Sequence, residues 1–205
     1  FFYDVPGAAQ SVLMFGAPSL TRQDPNYYPG VAANYRLGGG GFASRLTQQL
    51  REGAGYTYGV GSGFQARRTL GDYALRSSVR SNVTLEAATL ARDILRDYGS
   101  TFTADDLTVT QSALSRSRAR AFETSGAKLG VLEAIGDYGL LADYLSAEAQ
   151  VIDRLTIEQV QALADLYIDT DRMIYVVVGD AASQEARLEG LGYGAPVRVN
   201  DRLAA

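Results

Sequence analysis

Histidine and cysteine are both absent from the 205-residue sequence. That removes Ser-His triads, thiolate nucleophiles, disulfides and ordinary zinc sites together. A site of carboxylates alone would suit Mg or Ca rather than Zn. Four glycines, 38–41, run into Phe42 and Ala43 and fit a loose G-x-G-x-x-A pattern. A dinucleotide fingerprint needs a strand directly before it, and a P-loop needs Lys-Ser/Thr at its end. The preceding stretch is broken by Pro18, Pro25 and Pro29 and then reads as helical, and no Lys-Ser/Thr follows. The run therefore reads as a flexible connection that uses the free backbone of glycine. Asp105-Asp106 reads as charge favoured at a helix N-terminus rather than as a metal site. Arg116, Arg118 and Arg120 alternate, so they do not share one helix face. Solvation or pairing with acids is their ordinary role, and lining a cavity for an electronegative substrate is the alternative. Arg51, taken by itself, stands near a helix C-terminus, where a cation meets the dipole favourably. Tyr58, taken by itself, is strand packing.

These residues have to be placed by elements that the pattern outlines. Residues 11–16 (SVLMFG) form a short apolar run that predicts a buried strand. A helix is expected over about 27–36. Another is expected over 42–51, with Phe42, Leu46 and Leu50 on one stripe. Residues 56–64 alternate, with Tyr56, Tyr58, Val60, Ser62 and Phe64 on one face and Thr57 and three glycines on the other. The glycine face is expected to pack closely against backbone, which leaves the tyrosine face open to a cavity. Residues 72–80 return as the second strand of a hairpin. A long helix follows with Asn82 as its cap and Leu85, Ala88, Ala91, Leu95 and Tyr98 as its stripe. Capping boxes at Thr103–Asp106 and Thr156–Gln159 open further helices. Residues 173–178 (MIYVVV) read as a strand, and Gly179-Asp180 starts a short helix to about residue 189. Few strands, many helices and a tight hairpin give an α+β fold. Its sheet is mainly antiparallel with helices on one face, in a single domain over 1–205.

Composition narrows the role. The net charge of −4 and the estimated pI of 4.9 argue against nucleic-acid binding, which needs a basic excess. No apolar run reaches the roughly 18 residues of a membrane span. The chain starts at Phe1, so a longer polypeptide or a processed product is expected, and both a periplasmic and a cytoplasmic setting suit it.

Residues 37–64 read LGGGGFASRLTQQLREGAGYTYGVGSGF. Ser44, Arg45, Leu46, Leu50, Arg51, Glu52, Gly55 and Tyr58, after the glycine run, resemble the second-half domain of the pitrilysin/insulinase family of zinc metallopeptidases. The opening Pro6–Ser11 and the order of elements to Gly179-Asp180 resemble it too. In that family one half carries an inverted zinc motif, H-x-x-E-H, and a related half has lost it. The second half contributes an Arg and a Tyr, seven positions apart, to a shared cavity. The resemblance thus implies that Arg51 and Tyr58 contact peptide substrate. It also implies that this chain has no catalytic residue and no metal ligand of its own, and that zinc lies in a partner half, fused or separate. Tyr56, where the family more often has an aliphatic residue, is a competing donor. The main alternative is a catalytically inert assembly subunit related to the family. A third is a peptide-binding module that adds a substrate strand to a sheet edge.

Overall fold

The computed structural model describes residues 1–199. Five strands form one sheet in the order β1-β5-β2-β4-β3. They are β1 (Phe2–Asp4), β2 (Gln10–Ser19), β3 (Thr57–Gln65), β4 (Gly71–Arg80) and β5 (Ile174–Gly179). Only β1 runs parallel to its neighbour, and the other pairs are antiparallel. The α+β expectation is met. The sheet gains a strand that was not foreseen, because β1 has three residues and no alternation to reveal it. Of the expected 1–205 unit, residues 200–205 lie outside the described residues.

Alternation in the central strands makes one face of the sheet the core. Leu13 and Phe15 of β2 and Tyr73 and Leu75 of β4 are fully buried. Against them lies α2 (Thr84–Arg96), whose Ala87, Ala88 and Ala91 are also fully buried. Their small side chains let the helix approach the sheet. Asn82 does not cap α2. It sits in a short 3₁₀ turn, Ser81–Val83, and the helix begins at Thr84 without a side-chain cap. Both predicted capping boxes are formed, at the starts of α3 (Ala104–Ala119) and of the helix Ile157–Tyr167. Asp180 caps a short helix, Ala181–Gln184, which passes into a 3₁₀ turn, Ala186–Leu191.

The expected helix over 27–36 is divided. The α-helix α1 (Tyr27–Ala33) ends at Asn34, and a π-helical turn, Tyr35–Gly39, continues. Asn34 is the reason for the break. Its amide donates to the Ser62 carbonyl at 2.7 Å and its Oδ1 accepts from the Ser62 and Tyr73 hydroxyls. That network ties the turn to β3 and β4. A Cβ on Gly38 would stand 2.5 Å from the Ser62 backbone nitrogen, so the glycine run serves close packing on the sheet edge.

Both sheet edges are covered. On β3 the carbonyls of Val60, Ser62 and Phe64 accept hydrogen bonds from Thr47 Oγ1, Asn34 Nδ2 and the Tyr27 hydroxyl. On β1 the Phe2 N–H donates to Val197 and the Phe2 carbonyl accepts from Val199, each at 2.9 Å. An incoming strand would have to displace these contacts, which counts against strand addition.

Candidate functional site

Arg51 stands in the last turn of a π-helical segment, Thr47–Gly53. The segment is started by Ser44, whose hydroxyl accepts the Thr47 N–H and whose carbonyl accepts the Gln48 N–H. Leu46 and Leu50, both at 0% exposure, anchor its inner side. Phe42 is not part of that stripe. It precedes the helix in a 3₁₀ turn, Gly41–Ala43, and is exposed. Its ring instead lies 4.8 Å from the Arg51 guanidinium. Arg51 Nε is also 3.3 Å from the exposed carboxylate of Glu52. Gly55, at φ 64°, then turns the chain into β3.

Tyr58 is aimed by a β-bulge. Thr57 pairs with Val79 and Val60 pairs with Ser77, so β3 carries one extra residue between these pairs. Thr57 Oγ1 accepts the Gly59 N–H at 3.0 Å and reaches the Ser78 carbonyl at 2.6 Å. The bulge puts Tyr58 and Gly59 on the helix-free face and returns Val60, Ser62 and Phe64 to the core side. The simple alternation expected over 56–64 therefore breaks after Tyr58, and Tyr58 and Phe64 lie on opposite faces. Of the three glycines, Gly61 packs on backbone as expected, its Cβ position 3.4 Å from the Gly38 carbonyl, whereas Cβ atoms at Gly59 and Gly63 would meet nothing within 4 Å. Tyr58 is 88% exposed, and its hydroxyl has no hydrogen-bond partner among the described residues.

Arg51 and Tyr58 come together in one open depression of about 420 Å³, shared with Glu52, Tyr56, Ser78 and Arg80. Arg80 and Ser78 were not singled out from the sequence. Their signal is the polar phase of β4, where Arg76, Ser78 and Arg80 are exposed while Leu75, Ser77 and Val79 are buried. Tyr56 lines the depression beside Tyr58 but also packs against the core.

The other polar clusters lie elsewhere. Arg116 and Arg120, four apart on α3 and the turn that follows it, line a separate hollow with Asn34 and Tyr35. Arg118 does not line that hollow, and its charge helps pull down the pKa of Glu148, the ion-pair partner of Arg22. Asp106 closes the capping box with Thr103 and receives the guanidinium groups of Arg36 and Arg45. Burial pushes its pKa up, but hydrogen bonds from Arg36, the Thr103 backbone, Arg45 and the Thr103 hydroxyl outweigh this and hold it at about 2. Among the described residues, no three His, Cys, Asp or Glu side chains gather where an ion could sit. Among the same residues, no helix is long and apolar enough to cross a membrane.

The architecture is thus a five-stranded, mostly antiparallel sheet with helices on one face. The family described as "Peptidase M16 inactive domain" matches residues 1–114, and the chain belongs to that family. This agrees with the pitrilysin/insulinase resemblance. The chain is similar to a peptidase M16 inactive domain from Pseudomonas fluorescens, at 31% identity and a TM-score of 0.79. The match covers 87% of this chain and 43% of that one. A protease from Helicobacter pylori shares the fold at a TM-score of 0.80 and 14% identity, over 87% of this chain and 43% of that one. The inactive peptidase domain of a putative zinc protease from Bordetella parapertussis does so at 0.65 and 14%, over 83% of this chain and 93% of that one. The chain thus spans less than half the length of the first two. No curated protein matches it.

Proposed function

We propose that this chain is the non-catalytic half of a zinc metalloendopeptidase, and that Arg51 and Tyr58 hold peptide substrate in a cavity shared with a half that carries H-x-x-E-H. The observation that supports this reading is the bulge-aimed, 88% exposed Tyr58 in the same depression as Arg51. A tyrosine that only packed a strand would be covered. The dipole role of Arg51 remains available to it, since it stands in the last helical turn, and does not compete with a contact to substrate.

The chain has neither His nor Cys and does not fit a zinc ion, so the metal belongs to the partner half. This chain supplies donors. The Tyr58 hydroxyl is free to donate to a substrate carbonyl oxygen as negative charge develops on it, and the Arg51 guanidinium offers a planar fork to backbone carbonyls. Substrates would be unfolded peptides, because only an extended chain exposes its carbonyls to such a fork.

Capture of the partner tests the reading. This chain, used as bait in extract of its source, should retain a protein or fused segment bearing H-x-x-E-H, and the pair should cleave an unstructured peptide in a chelator-sensitive way. A partner lacking that motif, or a zinc-bearing pair without cleavage, would make the chain an inert assembly subunit.

A further inference from the structure

The depression that holds Arg51 and Tyr58 contains a second guanidinium that the family resemblance did not assign. Arg80 is the last residue of β4 and pairs with Gln10 of β2. It is one position beyond the Thr57–Val79 pair, so its side chain stands on the outer face that the bulge gives to Tyr58. Its Nη2 lies 3.4 Å from the carbonyl of Gly55, in the turn that joins the Arg51 segment to β3, and Arg80 lines the same depression as Arg51 and Tyr58. No carboxylate pairs with Arg80 among the described residues. The one acid lining the depression, Glu52, is 3.3 Å from Arg51. Two guanidinium groups against one carboxylate leave the concavity with an excess positive charge, rimmed by the neutral donors Tyr58, Ser78 and Gln10.

We infer that this depression is a carboxylate subsite, with Arg80 as the residue that selects a peptide bearing a carboxylate at the position it faces. The inference rests on the peptide-binding reading of Arg51 and Tyr58 and adds a substrate class to it. A guanidinium presents two parallel N–H groups to a carboxylate, and such charge-assisted pairs are stronger than neutral hydrogen bonds. Arg80 already leans on a weakly held carbonyl, so a carboxylate can replace that contact at little cost. Glu52 is exposed and can rotate away. The carboxylate has two sources, the free C-terminus of a short peptide or an Asp or Glu side chain, and both present the same two oxygens.

The test is equilibrium binding of labelled peptides to the assembled two-half protein, with cleavage stopped by chelator. One series compares a free C-terminal acid with its amide, and a second compares an internal Glu with Gln. We expect one series to bind about fivefold or more tighter in the acid form at low salt, with the preference reduced by salt. Arg80→Gln should erase that preference, Arg80→Lys should keep part of it, and Arg76→Gln, further along the same strand face, should leave it intact. Whichever series shows the preference identifies the source. Equal binding of acid and amide in both series, or a preference that survives Arg80→Gln, overturns the inference. A preference lost in Arg80→Gln in a pair that cleaves nothing would sink the peptidase reading and leave the carboxylate site. Cleavage that depends on Tyr58 without any acid preference would do the reverse.

Discussion

Tyr58 and Tyr98 show how the same side chain is used in two ways. Tyr98 is fully buried, its hydroxyl donates to the Ala33 carbonyl at 2.5 Å, and its ring lies edge-on to Phe102. Tyr58 is 88% exposed and its hydroxyl is unpartnered among the described residues. Tyr98→Phe leaves a buried carbonyl without its donor and should cost about 1–3 kcal/mol, read as a lower urea midpoint. Tyr58→Phe should change stability by less than about 0.5 kcal/mol. On the proposed function, the same change in the two-half protein should lower kcat about tenfold or more with little effect on KM, because the donor would act on charge that develops in the reaction. Steady-state kinetics on the two-half protein check this, and unchanged turnover would remove Tyr58 from the mechanism.

The glycine-rich stretch and the bulge are the elements that aim the site, and neither was legible from local pattern. Gly38 packs on the Ser62 backbone nitrogen at a distance that leaves no room for a side chain. Gly38→Ala would drive Cβ into β3 and into Leu46, which anchors the Arg51 helix. It should cost about 1–3 kcal/mol in thermal or chemical unfolding of the purified chain. A cost near zero would mean that the turn relaxes away from the sheet. Four of the five strands, the hairpin and both capping boxes could be read from the sequence because their signals are local: an apolar run or a two-residue period, or Thr three positions before Asp or Gln. The π-helical turn Tyr35–Gly39 could not, because it follows Asn34 reaching Ser62, a partner 28 positions away. The bulge could not either, since residues 56–64 alternate through it and only pairing with β4 shows the extra residue. Arg51 and Tyr58 were found through the motif they resemble. Arg80 needed the strand register.

The molecule as a whole separates its two sheet faces. Helices and core occupy one. The other carries the Arg51–Tyr58 depression and, further along, an apolar trough of about 510 Å³ along Met14, Pro18, Ile174 and Val176. The buried carboxylate of Asp106 ties the helical layer to the Arg51 segment. It joins the start of α3 to Arg36, in the π-helical turn, and to Arg45, two residues ahead of the Arg51 segment. Asp106 has a folded pKa of about 2, below the ordinary value of 3.8. A depressed carboxylate pKa stabilises the fold above the unfolded value, and that contribution is lost as pH falls through the folded one. Its contribution is thus complete above about pH 4, on the order of 2 kcal/mol, and disappears toward pH 2. Glu148, whose pKa is raised by burial against the opposing pull of Arg22, contributes the opposite slope, so the comparison has to be made against wild type. Urea midpoints measured at pH 6, 4 and 2.5 should show Asp106→Asn less stable than wild type at the first two values and nearer to it at the third. A constant gap across the series would mean that Asp106 acts through packing of its side chain rather than through its charge.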